Sequence, residues 1–109
     1  FCPLAQGLLT DRYLAGIPAD SRAGSSQVFL KRDDVTEAKL SKVRKLHAIA
    51  QGRGQTTAQL ALAWVLRRGH VTSALIGASR PEQISENVAA VRRADFTDAE
   101  LTAIDLALA

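Results

Sequence analysis

Residues 73–87, SALIGASRPEQISEN, combine a short apolar run with the start of a helix. The apolar run is flanked by turn-forming residues, which predicts a buried strand. Ser79 followed by Glu82 matches a capping box, and Pro81 falls in the first helical turn, where its missing N–H costs nothing. The free N–H groups of such a helix start, together with the charge of Arg80, suit a phosphate. The alternative interpretation is an ordinary strand-to-helix turn with a solvated arginine, and such turns are common.

The composition predicts one small globular core. The chain has 109 residues, of which 47% are hydrophobic and 23% charged, so disorder is excluded. Because no apolar run approaches the roughly 18 residues of a membrane span, we expect no membrane insertion. The net charge of +3 is spread along the chain and does not favour nucleic acid as a partner. The single cysteine, Cys2, excludes an internal disulfide and predicts a reducing, cytoplasmic location.

Three further capping-box patterns mark helix starts, at residues 34–37, 56–59 and 97–100. The first predicts an amphipathic helix of about four turns that ends at the turn Gly52-Arg53-Gly54. The second predicts a helix that is apolar on nearly all sides, including Trp64, and therefore deeply packed. The third predicts a terminal helix that docks on the core.

The order of elements predicts an α/β fold that the chain does not complete. Residues 1–4 and 73–76 are the two predicted strands, and helices and a loop at 15–26 lie between them. Strands joined through a helix are parallel neighbours in one sheet, but two strands do not make a stable sheet. The sequence also contains no methionine and opens on an apolar strand. We therefore expect a piece of a longer protein.

Several motifs together resemble those of the aldo-keto reductases. They are residues 1–10 (FCPLAQGLLT), Gly16-Ile17-Pro18 with Ser21-Arg22, and residues 76–80 (IGASR) with Gln83, Glu86 and Asn87. Within that family they look most similar to bacterial glyceraldehyde-3-phosphate-type reductases and potassium-channel beta subunits. The resemblance implies a C-terminal portion of a (β/α)8 TIM barrel, with the last two strand-helix units plus a C-terminal helix. Residues 1–109 would then be the cofactor-binding part of a barrel and not a complete domain.

The same resemblance implies NADP as the cofactor and a set of residues that bind it. By similarity, Phe1 stacks on the nicotinamide ring, the six residues after it follow the pyrophosphate, and two arginines lie in a loop over the cofactor. Residues of the 77–80 turn hold the 2′-phosphate, and three residues of the following helix contact the adenine and its ribose. An arginine at a helix N-terminus suits a doubly charged phosphate, which favours NADP over NAD. The implied cofactor-binding residues are Phe1, Cys2, Pro3, Leu4, Ala5, Gln6, Gly7, Arg12, Arg22, Gly77, Ser79, Arg80, Gln83, Glu86 and Asn87.

No catalytic or metal-binding residue is assigned in this chain. The resemblance implies an Asp, Tyr, Lys and His tetrad on earlier strands, and Tyr13 is not at the position of the acid. We therefore expect the chain alone to be inactive. Its expected partners are NADP(H), a carbonyl substrate, the missing N-terminal half of the barrel and, through exposed apolar surface, further copies of itself.

Three functions remain open at this point. The first is the NADPH-binding C-terminal region of an oxidoreductase that reduces aldehydes or ketones to alcohols by hydride transfer. The second is a redox-sensing protein similar to a channel beta subunit. The third is a helix-turn-helix DNA-binding module formed by residues 34–51 and 56–68, although the second of these helices is apolar where a recognition helix needs polar residues.

Overall fold

The computed structural model describes residues 3–5, 9–10 and 36–109, and the regular structure in these ranges is helical. The α-helices of the described ranges are α1 (Glu37–Gly52), α2 (Thr57–Leu66), α3 (Pro81–Val88) and α4 (Asp98–Leu108). Short 3-10 helices, Arg67–Gly69 and Ala89–Arg93, follow α2 and α3 directly. The second of these extends α3, so that residues 81–93 form one helical segment.

Two of the predicted capping boxes are confirmed. Before α2, the Thr56 hydroxyl accepts from the backbone N–H of Gln59 at 3.2 Å, and the Gln59 side chain accepts from the N–H of Thr56 at 3.0 Å. Before α4, Thr97 and Glu100 make the same reciprocal pair at 3.1 and 2.9 Å. Each box satisfies two backbone donors that a helix start leaves without an intrahelical acceptor.

The predicted start of the first helix was wrong by two residues. Its N-cap is Thr36, whose hydroxyl accepts from the N–H of Lys39 at 3.2 Å. Asp34, the first residue of the predicted box, lies outside the described residues. The helix begins late because Thr36 has extended backbone angles, φ −92° and ψ 157°, and supplies the acceptor itself.

The predicted strand at 73–76 is not formed, and this corrects the α/β expectation for the described residues. A strand requires the N–H and C=O groups of a neighbouring strand, and no segment in the described ranges supplies them. Leu75, expected to be buried, is 71% exposed. In the other predicted strand, Pro3 and Leu4 lie in a turn, while residues 1–2 are outside the described part.

The core lies between α1, α2 and α4. Its buried members are Leu46, Ala50, Leu60, Ile104 and Ala107. The deep packing predicted for α2 is confirmed, because none of its residues is exposed. The apolar residues of the helical segment after residue 80 are not part of this core: Ile84, Val88 and Val91 are 52%, 57% and 61% exposed.

A buried arginine joins the ends of three helical elements, and we call its surroundings the Arg53 cluster. The guanidinium bonds the Glu100 carboxylate at 2.6 Å and the backbone carbonyls of Arg93 and Asp95 at 2.7 and 3.0 Å. Arg93 in turn donates to the carbonyl of Arg53 at 2.6 Å. The cluster therefore fixes where the helical segment 81–93 ends. Its members are Arg53, Gln55, Arg93, Asp95, Phe96 and Glu100.

Candidate functional site

The turn before α3 is held by one side chain, that of Gln83. Its Oε1 accepts from the backbone N–H of Ser79 at 2.8 Å and from that of Arg80 at 3.3 Å, and the Ser79 hydroxyl lies 3.3 Å away. The N-cap is Arg80, with extended angles of φ −140° and ψ 146°, and Pro81 is the first helical residue. The predicted box of Ser79 and Glu82 was therefore wrong. The helix starts one residue later than predicted, because Pro81 takes the first helical position and Arg80, not Ser79, is the N-cap. The side-chain oxygen of Gln83 therefore accepts from two backbone donors, the N–H groups of Ser79 and Arg80.

This arrangement changes which groups of the turn are available to an anion. The N–H groups of Ser79 and Arg80 already donate to Gln83, so they are not free. The Arg80 side chain is exposed and has no ion-pair partner within the described ranges. A side-chain atom placed on Gly77 would meet nothing within 4 Å, so a ligand could approach that side of the backbone. The fixed turn therefore presents a positive side chain beside a helix N-terminus, where negative charge is stabilised.

Three residues on α3 belong to the expected adenine and ribose contacts. Gln83 holds the turn, as described above. The carbonyl of Glu86 accepts from the Gln59 side chain at 2.9 Å, which ties α3 to α2. Asn87 is buried, only 7% exposed, and its side-chain amide has no hydrogen-bond partner in the described part of the chain. Most buried polar groups are paired, so the Asn87 amide is a group that a bound ligand could satisfy.

The N-terminal part of the expected site is described only at Pro3, Leu4 and Ala5. These residues are half-buried in a turn, and the Leu4 carbonyl accepts from the N–H of Leu9 at 3.1 Å. Ala5 has a φ of +48°, a left-handed conformation that is strained for a residue with a Cβ. Among the described residues, no hydrogen bond joins this turn to α3. The remaining expected cofactor-binding residues, Phe1, Cys2, Gln6, Gly7, Arg12 and Arg22, lie outside the described residues.

Within the described part of the chain, neither histidine is paired with a carboxylate. The His47 ring nitrogen Nδ1 lies 2.9 Å from the Thr57 hydroxyl, a contact between α1 and α2. His70 is exposed after the 3-10 helix Arg67–Gly69. Across the described ranges, no three His, Cys, Asp or Glu side chains converge as metal ligands. None of the helices seen there is long and apolar enough to cross a membrane.

The Arg53 cluster and the Gln59 contact were not anticipated from the sequence. Arg53 appeared only as part of a helix-ending turn, and Gln59 only as half of a capping box. Their partners lie 47 and 27 residues away, so no local pattern could have identified them. Within the cluster, the backbone N–H of Thr97 and then the Arg53 guanidinium hold the pKa of Glu100 below its ordinary value.

The helix pair α1 and α2 does not present a recognition surface for DNA. A recognition helix must expose polar side chains to the major groove. Every residue of α2 is buried or half-buried, and Trp64 lies beneath the Arg67 guanidinium, which is 3.6 Å from its ring centroid. The geometry therefore argues against the helix-turn-helix interpretation.

Comparison with known proteins places the whole chain in one family. It is 52% identical over 108 residues to an L-glyceraldehyde 3-phosphate reductase of Escherichia coli strain K12, covering 96% of this chain and 31% of that protein. It is 41% identical over 102 residues to a putative voltage-gated potassium channel subunit beta of Schizosaccharomyces pombe, covering 91% of this chain and 30% of that protein. The chain thus spans about a third of the length of these relatives. Because the model of the aldo/keto reductase family matches residues 1–109, the chain belongs to that family.

Proposed function

We propose that this chain is the NADPH-binding C-terminal part of a reductase that converts aldehydes or ketones to alcohols. The observation that carries the proposal is the turn at 77–80, with its fixed backbone and an exposed Arg80 that has no ion-pair partner in the described structure. An arginine can give a phosphate two parallel N–H bonds, and the helix start adds a favourable dipole. We assign the 2′-phosphate of NADP to Gly77, Ser79 and Arg80.

The fit of a nucleotide is supported further along α3. The buried amide of Asn87 has both donors and an acceptor and no partner in the described residues, and the edge of an adenine or a ribose hydroxyl offers matching groups. A buried amide left without a partner costs about 1–3 kcal/mol, and a ligand group that pairs with it offsets part of that cost. We also assign the expected adenine and ribose contacts to Glu86 and, through its remaining amide donors, to Gln83.

When bound, NADPH supplies the hydride that reduces a carbonyl carbon. The residues assigned in this chain bind and orient the nucleotide, and none is assigned a proton-transfer role. The (β/α)8 barrel of the family has further strands, and the names of the Escherichia coli relatives support a reductase acting on an aldehyde. We propose that catalysis by the protein depends on residues outside this chain.

Titration calorimetry with NADPH and, separately, NADH tests the proposal. We expect NADPH to bind more tightly, and Arg80→Ala to weaken NADPH about 10- to 100-fold while NADH binding changes little, as for a charged hydrogen-bonded pair. Arg92→Ala is the matched control, because Arg92 is an exposed arginine at the other end of the same helical segment. Equal affinity for the two nucleotides, or equal loss of both in Arg80→Ala, contradicts the assignment. The measurement is made on the chain and on the intact protein that carries it.

A second candidate, a redox sensor that reports its bound nucleotide to a membrane channel, is supported by the similarity to the channel subunit. It uses the same nucleotide site, so the titration does not separate the two. Co-purification of a channel with the intact protein, together with absent carbonyl reduction, would favour the sensor.

A further inference from the structure

We infer that Gln59, on α2, is a positioning residue for the nucleotide-binding start of α3. The inference rests on the proposed function, because it concerns where α3 holds the 2′-phosphate. The Gln59 side chain is hydrogen-bonded at both of its ends. Oε1 of Gln59 accepts from the N–H of Thr56 at 3.0 Å, and Nε2 donates to the carbonyl of Glu86 at 2.9 Å. With both ends bonded to backbone groups, the side chain links the start of α2 rigidly to the middle of α3.

Packing alone holds α3 weakly. Among the residues of Pro81–Val88, only Asn87 is buried, while Ile84 and Val88 are more than half exposed. In the described structure, the Gln59 bond to Glu86 is the one side-chain hydrogen bond between α2 and α3. A polar link therefore matters more for the position of α3 than it would for a helix with a buried apolar face.

The next hydrogen-bonded attachment of this helical segment lies further from the turn. Asn87 and Ala90 are buried but make no side-chain hydrogen bond in the described structure, and the carbonyl of Arg93 is held by the Arg53 cluster. Arg80 precedes Glu86 by six residues and Arg93 by thirteen. At 1.5 Å per residue, loss of the Gln59 bond moves the first hydrogen-bonded attachment from about 9 Å to about 20 Å from Arg80, with only packing at Asn87 and Ala90 in between.

Without the Gln59 bond, only packing resists a tilt of α3 about its buried residues, and the displacement is largest at the far end, at Arg80. A tilt of about 3° about Asn87, seven residues or about 10 Å from Arg80, moves that end by about 0.5 Å. Binding groups need to stay within about 0.5 Å of their productive positions. The 2′-phosphate contact is therefore the contact that a weaker attachment at Glu86 would damage first.

The substitution Gln59→Glu removes one of the two hydrogen bonds of this side chain and keeps the other. A glutamate keeps the acceptor for the Thr56 N–H, since capping boxes accept Glu or Gln, but it has no donor for the Glu86 carbonyl. Thr56→Ala is the matched control, because it removes the hydroxyl that caps α2 and leaves both bonds of the Gln59 side chain in place.

The experiment measures nucleotide affinity and urea midpoint for the intact protein that carries this chain. We expect Gln59→Glu to weaken NADPH about 3- to 10-fold, the effect of one lost hydrogen bond, with less than about a twofold change for NADH. Thr56→Ala should lower the urea midpoint and leave the ratio of the two affinities unchanged. The inference is overturned if Gln59→Glu leaves that ratio unchanged, or if it lowers the midpoint more than Thr56→Ala does.

Arg80→Ala, measured alongside, separates this inference from the proposed function. If Arg80→Ala removes the preference for NADPH and Gln59→Glu does not reduce it, only the role of Gln59 is wrong. If Arg80→Ala has no effect, the assignment of the phosphate site itself is wrong. In the double variant, Gln59→Glu should add no further loss, because the contact that it positions is already absent.

Discussion

Replacing Arg53 with methionine should strongly destabilise the fold. The arginine side chain is 2% exposed, and its guanidinium bonds the Glu100 carboxylate and the carbonyls of Arg93 and Asp95. Methionine keeps a side chain of similar length that can pack on Phe96, whose ring centroid is 4.0 Å from the guanidinium carbon. The substitution therefore removes the charge and the donors while leaving most of the volume filled.

The expected loss in the free energy of unfolding depends on the acceptors that lose their bond to Arg53. Removing one partner of a buried ion pair costs about 3–5 kcal/mol, mostly because the other charge stays without a partner. Glu100 is 22% exposed and keeps the Thr97 N–H, so it can rehydrate in part. The Arg93 carbonyl keeps a bond from Gln55 at 3.2 Å, whereas the Asp95 carbonyl loses its bond to Arg53. We therefore expect a loss near the lower limit, about 3 kcal/mol.

Urea unfolding followed by circular dichroism measures this loss. With a slope of about 1.5 kcal/mol per molar urea, 3 kcal/mol moves the midpoint by about 2 M. Arg44→Met is the matched control, because Arg44 pairs with Glu37 on the surface of α1, where their side chains are 45% and 76% exposed. An exposed pair contributes about 0–1 kcal/mol, so this midpoint should move by well under 1 M. If the two variants lose the same amount, the Arg53 cluster does not stabilise the fold as argued.

Two further predictions concern Glu100 and Arg68. The pKa of Glu100 is lower in the folded protein than its ordinary value of about 4.5, so the ionised carboxylate adds stability above about pH 4.5. This stability is lost as the pH falls through the folded-state pKa. Glu100→Gln keeps the capping box but cannot titrate, so urea midpoints measured from about pH 6 to about pH 3 should fall less steeply than in the parent. Arg68 has a φ of +62°, a conformation that is strained for a residue with a Cβ, so Arg68→Gly should stabilise the protein by about 0.5–1 kcal/mol in the same urea assay. Arg92→Gly is the control: Arg92 lies inside the 3-10 helix Ala89–Arg93, so a glycine there should destabilise the protein.

The helices could be predicted because their starts depend on neighbouring residues. The boxes at Thr56 and Thr97 each consist of groups three residues apart, and both formed as the sequence indicated. The box at Ser79 failed for an equally local reason, since the helix starts one residue later than the spacing of Ser79 and Glu82 indicates, and Gln83 takes the place of Glu82. Gln83 accepts from the N–H groups of both Ser79 and Arg80. Spacing alone does not say whether Glu82 or Gln83 makes these bonds.

The strand at 73–76 and the contacts of Arg53 could not be predicted in the same way. A strand is completed by the backbone of another segment, and the apolar pattern does not say whether that segment is within the chain. Burial of an arginine depends on groups more than 40 residues away, here the carbonyl of Asp95 and the carboxylate of Glu100. Of the candidate site, the Arg80 turn was predicted from the residues, while the isolated amide of Asn87 required the structure.

The Arg53 cluster also restricts how this part of the protein can diverge. Two acceptors of the guanidinium are main-chain carbonyls, and no substitution at Arg93 or Asp95 removes them. A lysine at position 53 would bring a single ammonium in place of a planar fork and could not reach all four acceptors in the same geometry. The side-chain acceptors, Glu100 and Gln55, are then the two that can change with Arg53. A lineage that loses the arginine must supply a new donor for the Asp95 carbonyl at the same step, because only the Arg93 carbonyl keeps a bond from Gln55, so neutral drift at this position is restricted.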